Sequence, residues 1–290
     1  MKESKRFMIY KIVILIILIG IACLAWARYI STRGLVIKEY PIKTNKLDED
    51  YDGFKIVQFT DVHYGSTVGI EEIKKIVKRI NDQNPDVVVF TGDLFESGIQ
   101  ISDENVLELT KELNNITASI QVFGVAGNHD YDNKHYWELF VENTNWKILT
   151  NTFEFVYSKS DKPIVFVGVD DYWVGDPVYK DAYQWLNDNT KDYYTVLLLH
   201  EPDQVEHLND FTEDTNYTFD IALAGHSHLG QVRLPFIGAL WTPYGSKKYY
   251  DEHYVLDNKD LYISGGLGTS SLKLRFFNKP SIIIYRFYTK

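Results

Sequence analysis

An uninterrupted apolar run near the N-terminus is the strongest hydropathy pattern in the chain. It extends from residue 12 to residue 27 without a charged side chain or a polar face. The run holds roughly 16 residues, and residues 7–10 can lengthen it toward the ~20 that a bilayer-spanning helix needs. Four basic residues precede it, namely Lys2, Lys5, Arg6 and Lys11. The pattern predicts a membrane anchor or signal segment over residues 1–30.

After this run the pattern changes twice. Residues 31–52 are polar and contain a proline, which is typical of a short stalk. From residue 53 to residue 290, short apolar runs alternate with segments of helical periodicity. The predicted strands are 54–60, 87–90, 120–126, 164–169, 196–199 and 219–223, with short β segments at 262, 272–276 and 282–288. The predicted helices are 70–80, 106–113 and 135–142.

This βαβα order predicts one α/β domain with layered sheets flanked by helices. In such folds the functional loops follow the carboxyl ends of the strands. We therefore expect the catalytic residues at those positions within residues 53–290.

The composition limits the partners and the metal ligands that the chain can have. A net charge of −10 and a pI near 5.3 argue against a nucleic-acid partner, because polyanion binding usually needs a basic face. Cys23 is the single cysteine and lies within the apolar run. Any metal bound by the rest of the chain would therefore need nitrogen and oxygen ligands.

The N-terminal charges also predict an orientation. Basic residues before an apolar run favour a cytoplasmic N-terminus, which would make this a single-pass cell-membrane protein with an extracytoplasmic domain. Small residues in the stretch Ala25-Trp26-Ala27 suit a signal-peptidase site, so secretion after cleavage remains an alternative.

Five polar clusters each follow a predicted apolar strand. They are Asp61-Val62-His63, Gly92-Asp93, Gly127-Asn128-His129-Asp130, His200, and Gly225-His226-Ser227-His228. Five of the eight histidines in the chain fall in these clusters. A single histidine or aspartate at a strand end is usually a loop or cap residue. Five clusters at equivalent positions can meet at one edge of a parallel sheet, which predicts a shared site.

Imidazole and carboxylate side chains suit Mn, Fe or Zn, and a carboxylate can bridge two ions. Two ions about 3.5–4 Å apart lower the pKa of a shared water and stabilise both oxygens of a phosphoryl displacement. The clusters therefore predict a binuclear hydrolase of phosphate esters that acts through a metal-bridging hydroxide.

The ordered motifs D-x-H, G-D, G-N-H-[DE], H and G-H-x-H resemble those of the calcineurin-like metallophosphoesterase superfamily. The resemblance covers Phe54 to the C-terminus and is specific as a set. Within the superfamily, the stretches 200–203, 225–231 and 233–236 are most similar to the membrane-associated YkuE/YaeI-like phosphodiesterases. This resemblance implies a layered α-β-β-α sandwich.

The resemblance also implies roles for individual residues. One metal ion would be held by Asp61, His63, Asp93 and His228. The other would be held by Asp93, Asn128, His200 and His226, with Asp93 bridging the two. His129 would face the substrate and protonate or stabilise the leaving oxygen, and Glu96 stands where relatives carry an acid that orients this histidine. Asp130 would cap the following segment.

Two positions depart from the superfamily pattern. Protein phosphatases have an acidic residue followed by arginine after the second motif, whereas Glu96 is followed here by Ser97. This difference argues against a phosphoprotein phosphatase. Leu229 replaces a glycine that commonly follows G-H-x-H, which would alter the adjacent loop without removing a ligand.

The segment 235–254 is rich in aromatic residues and contains Lys247 and Lys248. Such a composition favours a membrane interface or a lipid site, although a plain capping loop explains it equally well. A membrane anchor favours lipid-linked or cell-envelope phosphodiesters as substrates. The alternative is a non-catalytic, metal-containing scaffold that binds a protein partner.

Overall fold

The computed structural model describes residues 2–187, 189–210 and 217–289. Met1 and Lys290, which end two of the predicted segments, lie outside this range. The helices are α1 (Lys2–Tyr29), α2 (Ile70–Asn81), α3 (Asp103–Leu113), α4 (Asn128–Asp132), α5 (Lys134–Asn143) and α6 (Tyr179–Ala182).

Two six-stranded mixed sheets form the centre of the fold. The first has the order β1 (Val36–Thr44), β14 (Ser281–Thr289), β2 (Lys55–Phe59), β3 (Val87–Thr91), β4 (Gln121–Val125) and β5 (Lys147–Ile148). The second has the order β12 (His253–Leu256), β13 (Lys259–Ile263), β9 (Ile221–Ala224), β8 (Tyr194–Leu198), β7 (Ile164–Gly168) and β6 (Thr152–Val156). A small hairpin, β10 (Arg233–Leu234) and β11 (Gly238–Ala239), lies outside both sheets.

The strands of the first sheet are apolar on both faces because both faces are covered. On β3, Val88 and Phe90 face the layer of α2, α3 and α5, whereas Val87 and Val89 face the second sheet. The alternation follows from the two-residue period of side chains along a strand. Nearly continuous apolar runs are what such doubly covered strands require.

The outer face of the second sheet is covered differently. Here α6 is only 4 residues long, and much of the cover comes from aromatic side chains such as Tyr183, Trp185 and Tyr217. The predicted α-β-β-α sandwich is confirmed, with a fourth layer made mostly of irregular chain.

Two predictions about local structure were wrong. Residues 36–44 were expected in the stalk, but they form β1, which pairs in parallel along the whole of β14. Hydropathy did not reveal this edge strand because only one of its residues, Ile42, is fully buried. The segment 272–276 was expected to be a strand, but it contributes only an isolated bridge between Phe276 and Val232.

Helix α1 carries the predicted apolar run. Its apolar side chains are exposed, and it is long and apolar enough to cross a membrane. Among the side chains described from residue 5 onward, burial against the folded domain occurs in its last turn, at Ala27.

Candidate metal centre

The predicted clusters all follow strand ends at one edge of the two sheets. β2, β3 and β4 run parallel in the first sheet, and β8 and β9 run parallel in the second. The residues after these five strands come together in one site. Sequence-distant side chains meet because parallel strands end at the same edge.

The first group of donor atoms comprises Asp61, His63 and His228. His63 Nε2 lies 3.0 Å from His228 Nε2. His228 Nε2 lies 3.4 Å from Asp61 Oδ1. All three residues are buried, so their donor atoms converge in a space screened from bulk water.

The second group comprises Asp93, His200 and His226. Asp93 Oδ2 is 3.2 Å from His200 Nε2, and His226 Nδ1 is 3.1 Å from His200 Nε2. The same carboxylate oxygen lies 3.6 Å from His63 Nε2 of the first group. Asp93 therefore stands between the two groups.

The hydrogen bonds of two histidines fix which ring nitrogen faces the centre. His200 Nδ1 donates to the carbonyl of Thr91 at 2.7 Å, and His226 Nε2 donates to the carbonyl of Tyr244 at 2.6 Å. When both rings are neutral, each therefore presents its unprotonated nitrogen to the other. Backbone carbonyls commonly hold metal-binding histidines in this way.

This donor set fits divalent metal ions. Two nitrogen lone pairs 3.1 Å apart repel each other unless a cation lies between them. Asn128 Oδ1 is buried without a hydrogen-bond partner, and such an oxygen atom normally needs one. Nitrogen and oxygen ligands of this kind suit Mn, Fe or Zn.

The backbone at the site adopts a conformation that is unfavourable for most residues. Asp61, His63, Asp93, His226 and His228 all have positive φ, between 46° and 62°. The left-handed region costs roughly 1–2 kcal/mol per residue that is not glycine. Backbone strain of this kind concentrates at functional sites, where convergent side chains require it.

Two glycines allow the strand-end loops to approach closely. A Cβ atom on Gly92 would lie 2.4 Å from His200 Nδ1, and one on Gly127 would lie 2.4 Å from Asp93 Oδ1. A larger residue at either position would displace a donor residue. The glycines of the G-D and G-N-H motifs thus allow their loops to pack closely against the donor residues.

Burial and neighbouring charges perturb the site histidines in opposite directions. Burial, followed by the nearby His200, lowers the pKa of His226 to about 3. Burial and then His63 hold the pKa of His228 well below its usual range. For His200, burial acts in the same direction, but the nearby carboxylates, Asp93 foremost, together outweigh it and raise the pKa well above the usual value. His226 and His228 therefore stay neutral, whereas the ring nitrogen of His200 beside Asp93 attracts a cation, either a proton or a metal ion.

Glu96 does not have its predicted partner. Its Oε2 lies 2.9 Å from Nδ1 of His63, although the pair lacks the alignment of a hydrogen bond. Glu96 thus contacts a member of the first donor group instead of holding His129. His63, Glu96 and His129 form a third close set of donor atoms, but Nε2 of His63 already faces Asp61 and His228.

His129 is held by Ser97. The backbone N–H of Ser97 donates to His129 Nδ1 at 3.0 Å, and Ser97 Oγ lies 2.6 Å from the same nitrogen. The hydroxyl donates to Asp132 Oδ2 at 2.6 Å. With Nδ1 accepting from the backbone, the proton of the neutral ring resides on Nε2. Sequence reasoning missed Ser97 as a partner because only the tertiary fold brings it next to His129.

His129 Nε2 faces the cavity next to the donor groups, with the Ser270 hydroxyl 3.5 Å away. It is 4.0 Å from Asp93 Oδ2, and its side chain is 16% exposed. The backbone N–H of His129 donates to Asp93 Oδ1 at 2.9 Å. The ring is therefore adjacent to the candidate centre while its Nε2–H remains available to a substrate.

Replacing Ser97 with alanine is expected to lower turnover about threefold to tenfold, because the hydroxyl bond to Asp132 that holds this loop beside His129 is lost. A hydrogen bond contributes ~0.5–1.5 kcal/mol, and ~1.4 kcal/mol corresponds to tenfold. Metal content should not change, because Ser97 touches no donor atom. Steady-state kinetics and elemental analysis would measure both. Ser97→Thr keeps the hydroxyl and should restore turnover; a threonine variant as slow as the alanine variant would contradict the positioning role.

Asp130 has the structural role expected of it. Its two carboxylate oxygens accept backbone hydrogen bonds from Asp93, Leu94 and Gly127 at 2.8–3.0 Å. These bonds join the loop after β3 to the loop after β4. Asp130 thereby fixes the position of Asp93 without facing the centre.

The loop after the last motif also carries strain. Leu229 has φ of 50° and is buried, so it adopts the left-handed conformation that glycine takes up without strain. Its side chain packs in the core on the outer face of the second sheet. The departure therefore changes the packing behind the loop, while His226 and His228 still reach the centre.

A cavity of about 290 Å³ opens beside the donor groups. It is lined by Asp93, Asn128 and His129 together with the apolar side chains of Leu240 and Trp241. Polar groups suited to a metal ion and an apolar surface thus share one cavity.

Comparisons with known proteins agree with these features. The family model described as calcineurin-like phosphoesterase matches residues 54–230. A Bacillus subtilis protein named uncharacterized metallophosphoesterase YkuE is 31% identical over 264 residues, which cover 90% of this chain and 88% of that protein.

Two further relatives have names that describe a membrane location or a substrate. A Danio rerio transmembrane protein with metallophosphoesterase domain is 27% identical, over 85% of this chain and 56% of its own length. The UDP-2,3-diacylglucosamine pyrophosphatase LpxG of Chlamydia muridarum is 24% identical, over 90% of this chain and 92% of its own length.

Proposed function

Because the chain belongs to the calcineurin-like phosphoesterase family, we propose that it hydrolyses phosphate esters at a centre of two divalent metal ions. The observation that carries this proposal is the position of Asp93 between two buried groups of donor atoms. The first ion would be held by Asp61, His63, Asp93 and His228. The second would be held by Asp93, Asn128, His200 and His226.

Bound ions would activate water and neutralise charge on the phosphoryl oxygens. The residues of the chain supply the remaining functions. Asp93 holds the two halves of the centre together, and the carbonyls of Thr91 and Tyr244 fix the ring tautomers. The Nε2–H of the neutral His129 ring stabilises the leaving oxygen by a hydrogen bond, and the doubly protonated ring protonates it as a general acid.

The proposed substrate is a phosphodiester of the cell envelope that carries a lipid. One relative is named for a pyrophosphatase of a diacylated nucleotide sugar, and the apolar surface of the cavity suits a lipid-linked ester. Helix α1 would anchor the enzyme in the cell membrane as a single span, with the domain on the extracytoplasmic side. Mn, Fe and Zn all match the ligands.

The full chain, purified in detergent and loaded with Mn²⁺, Fe²⁺ or Zn²⁺, should hydrolyse bis-p-nitrophenyl phosphate. Chelation should abolish turnover, and re-addition of metal should restore it. Product formation at a visible wavelength measures both. An absence of turnover with all three metals, despite bound ions, would refute the hydrolase and favour a metal-containing binding scaffold.

A further inference from the structure

The tip of the β10–β11 hairpin exposes large apolar side chains. Phe236 is 109% exposed and Ile237 is 71% exposed. Leu240 and Trp241, which follow the hairpin, are 54% and 66% exposed. Contiguous exposed apolar surface of this kind marks an interaction site in most soluble domains. None of these four side chains belongs to a described core cluster.

The backbone of Phe236 provides a second, independent observation. Its φ is 68°, in the left-handed region that turns usually fill with glycine or asparagine. A phenylalanine there is strained and makes no compensating contact with the fold. The tip residue is therefore unfavourable for folding in water, and a role outside the domain explains its presence.

Direct contacts connect the hairpin to the end of α1. The ring of Trp26 meets that of Phe276 at 5.6 Å, and the N–H of Arg275 donates to the carbonyl of Ala27 at 3.1 Å. The N–H of Arg233, the first residue of β10, in turn donates to the carbonyl of Phe276 at 2.9 Å. Phe276 thus connects the two elements, because it contacts both Arg233 of the hairpin and Trp26 at the end of α1.

The charges on this side fit a lipid headgroup layer. Lys247 lies over the ring of Trp241, with Nζ 5.4 Å from the ring centroid. Exposed basic residues also surround the end of α1, namely Arg33, Lys273 and Lys279. Tryptophan with lysine or arginine is typical of the membrane interface.

We propose that the hairpin tip, Phe236 and Ile237, inserts into the bilayer that holds α1, with Trp241 and Lys247 at the headgroup level. The cavity beside His129 then opens at the membrane surface through Leu240 and Leu272. Its volume of about 290 Å³ suits a headgroup, since ligand pockets measure roughly 300–1,000 Å³. The acyl chain of the substrate stays in the bilayer. The insertion rests on α1 as an anchor, and the role of the cavity rests on the proposed hydrolase.

Depth measurements on the full chain in lipid nanodiscs test the insertion. Because Cys23 is the only cysteine, Cys23→Ala combined with Phe236→Cys gives one labelling site for a polarity-sensitive dye. The matched control is Tyr157→Cys, also exposed. It lies just beyond Val156, which pairs with the first residue of β7, at the sheet end opposite the candidate centre.

Nanodiscs of phosphatidylcholine and phosphatidylglycerol should shift the emission of the dye at residue 236 to shorter wavelength, and nitroxide-labelled lipids should quench it. The dye at residue 157 should show neither effect. Equal emission and quenching at the two positions would overturn the insertion. This readout does not depend on turnover, so it decides the insertion even if the hydrolase proposal fails.

A kinetic comparison tests the role of the cavity opening. The double variant Phe236→Ser and Ile237→Ser should hydrolyse water-soluble bis-p-nitrophenyl phosphate at an unchanged rate. Turnover of hexadecyl p-nitrophenyl phosphate in the same nanodiscs should fall by about tenfold or more, since full burial of each large apolar side chain is worth about tenfold or more. Equal rates on the lipid ester for the variant and the unmodified chain would contradict presentation by the hairpin. Failure of the hydrolase itself would instead abolish both reactions in both proteins.

Discussion

Replacing Asp93 with alanine is expected to lower phosphodiester turnover by about three to four orders of magnitude. Metal ions contribute on the order of 5 kcal/mol of transition-state stabilisation, and each ~1.4 kcal/mol corresponds to tenfold in rate. Asp93 lies 3.2 Å from a donor of the second group and 3.6 Å from a donor of the first. Its loss should therefore reduce occupancy at both positions, as elemental analysis of the purified variant would measure.

The matched control is Asp82→Ala, which removes a partly exposed carboxylate at the end of α2 that pairs only with Lys78. Turnover and metal content of this control should remain close to those of the unmodified protein. Full metal content and near-normal turnover in the Asp93 variant would contradict a bridging position.

Replacing His129 with alanine is expected to lower turnover by about 10²–10⁴-fold for an ester with an alkyl leaving group, the usual contribution of a general acid. The loss should be much smaller for bis-p-nitrophenyl phosphate, because p-nitrophenolate leaves without needing a proton. Metal content should stay unchanged, since His129 Nε2 lies beside the two donor groups and belongs to neither. Steady-state rates with the two classes of leaving group measure the difference.

His135→Ala provides the control for this variant. His135 lies on α5, is exposed, and pairs with Asp103 away from the cavity. Its loss should leave both rates unchanged. An equal loss on both leaving groups in the His129 variant, together with missing metal, would assign His129 to the ligand set instead.

Strand patterns and clustered motifs sufficed to predict which residues the fold brings together at the candidate centre. Five apolar strands predicted from the sequence end directly before the clusters, and the fold brings the predicted ligand residues together. This succeeded because side chains after parallel strands must lie at one sheet edge, whatever the lengths of the connections between them.

The residues that contact the site histidines through the tertiary fold could not be predicted from the sequence. Glu96 and Ser97 are adjacent in sequence, yet one contacts His63 and the other holds His129. Which of two neighbours reaches which histidine depends on the path of the loop after β3, and no local pattern encodes that path. The carbonyl of Tyr244, which fixes the ring of His226, is likewise a backbone group without a sequence signature.

The edge strand β1 was missed for a different reason. Its residues alternate between more buried and exposed positions from Glu39 to Lys43, because successive side chains point to opposite faces and one face is open to solvent here. Partial burial leaves a polar composition that resembles a stalk, and pairing with β14 across more than 200 residues leaves no local trace.

Titration of the metal-free full chain with Mn²⁺ tests the two-metal account most directly, with bound metal and bis-p-nitrophenyl phosphate turnover measured at each step. The account predicts that turnover rises until two ions are bound per chain and then remains constant, and that Asp93→Ala never reaches this level. Full turnover with one ion bound, or none with two bound ions of Mn, Fe or Zn, would contradict it.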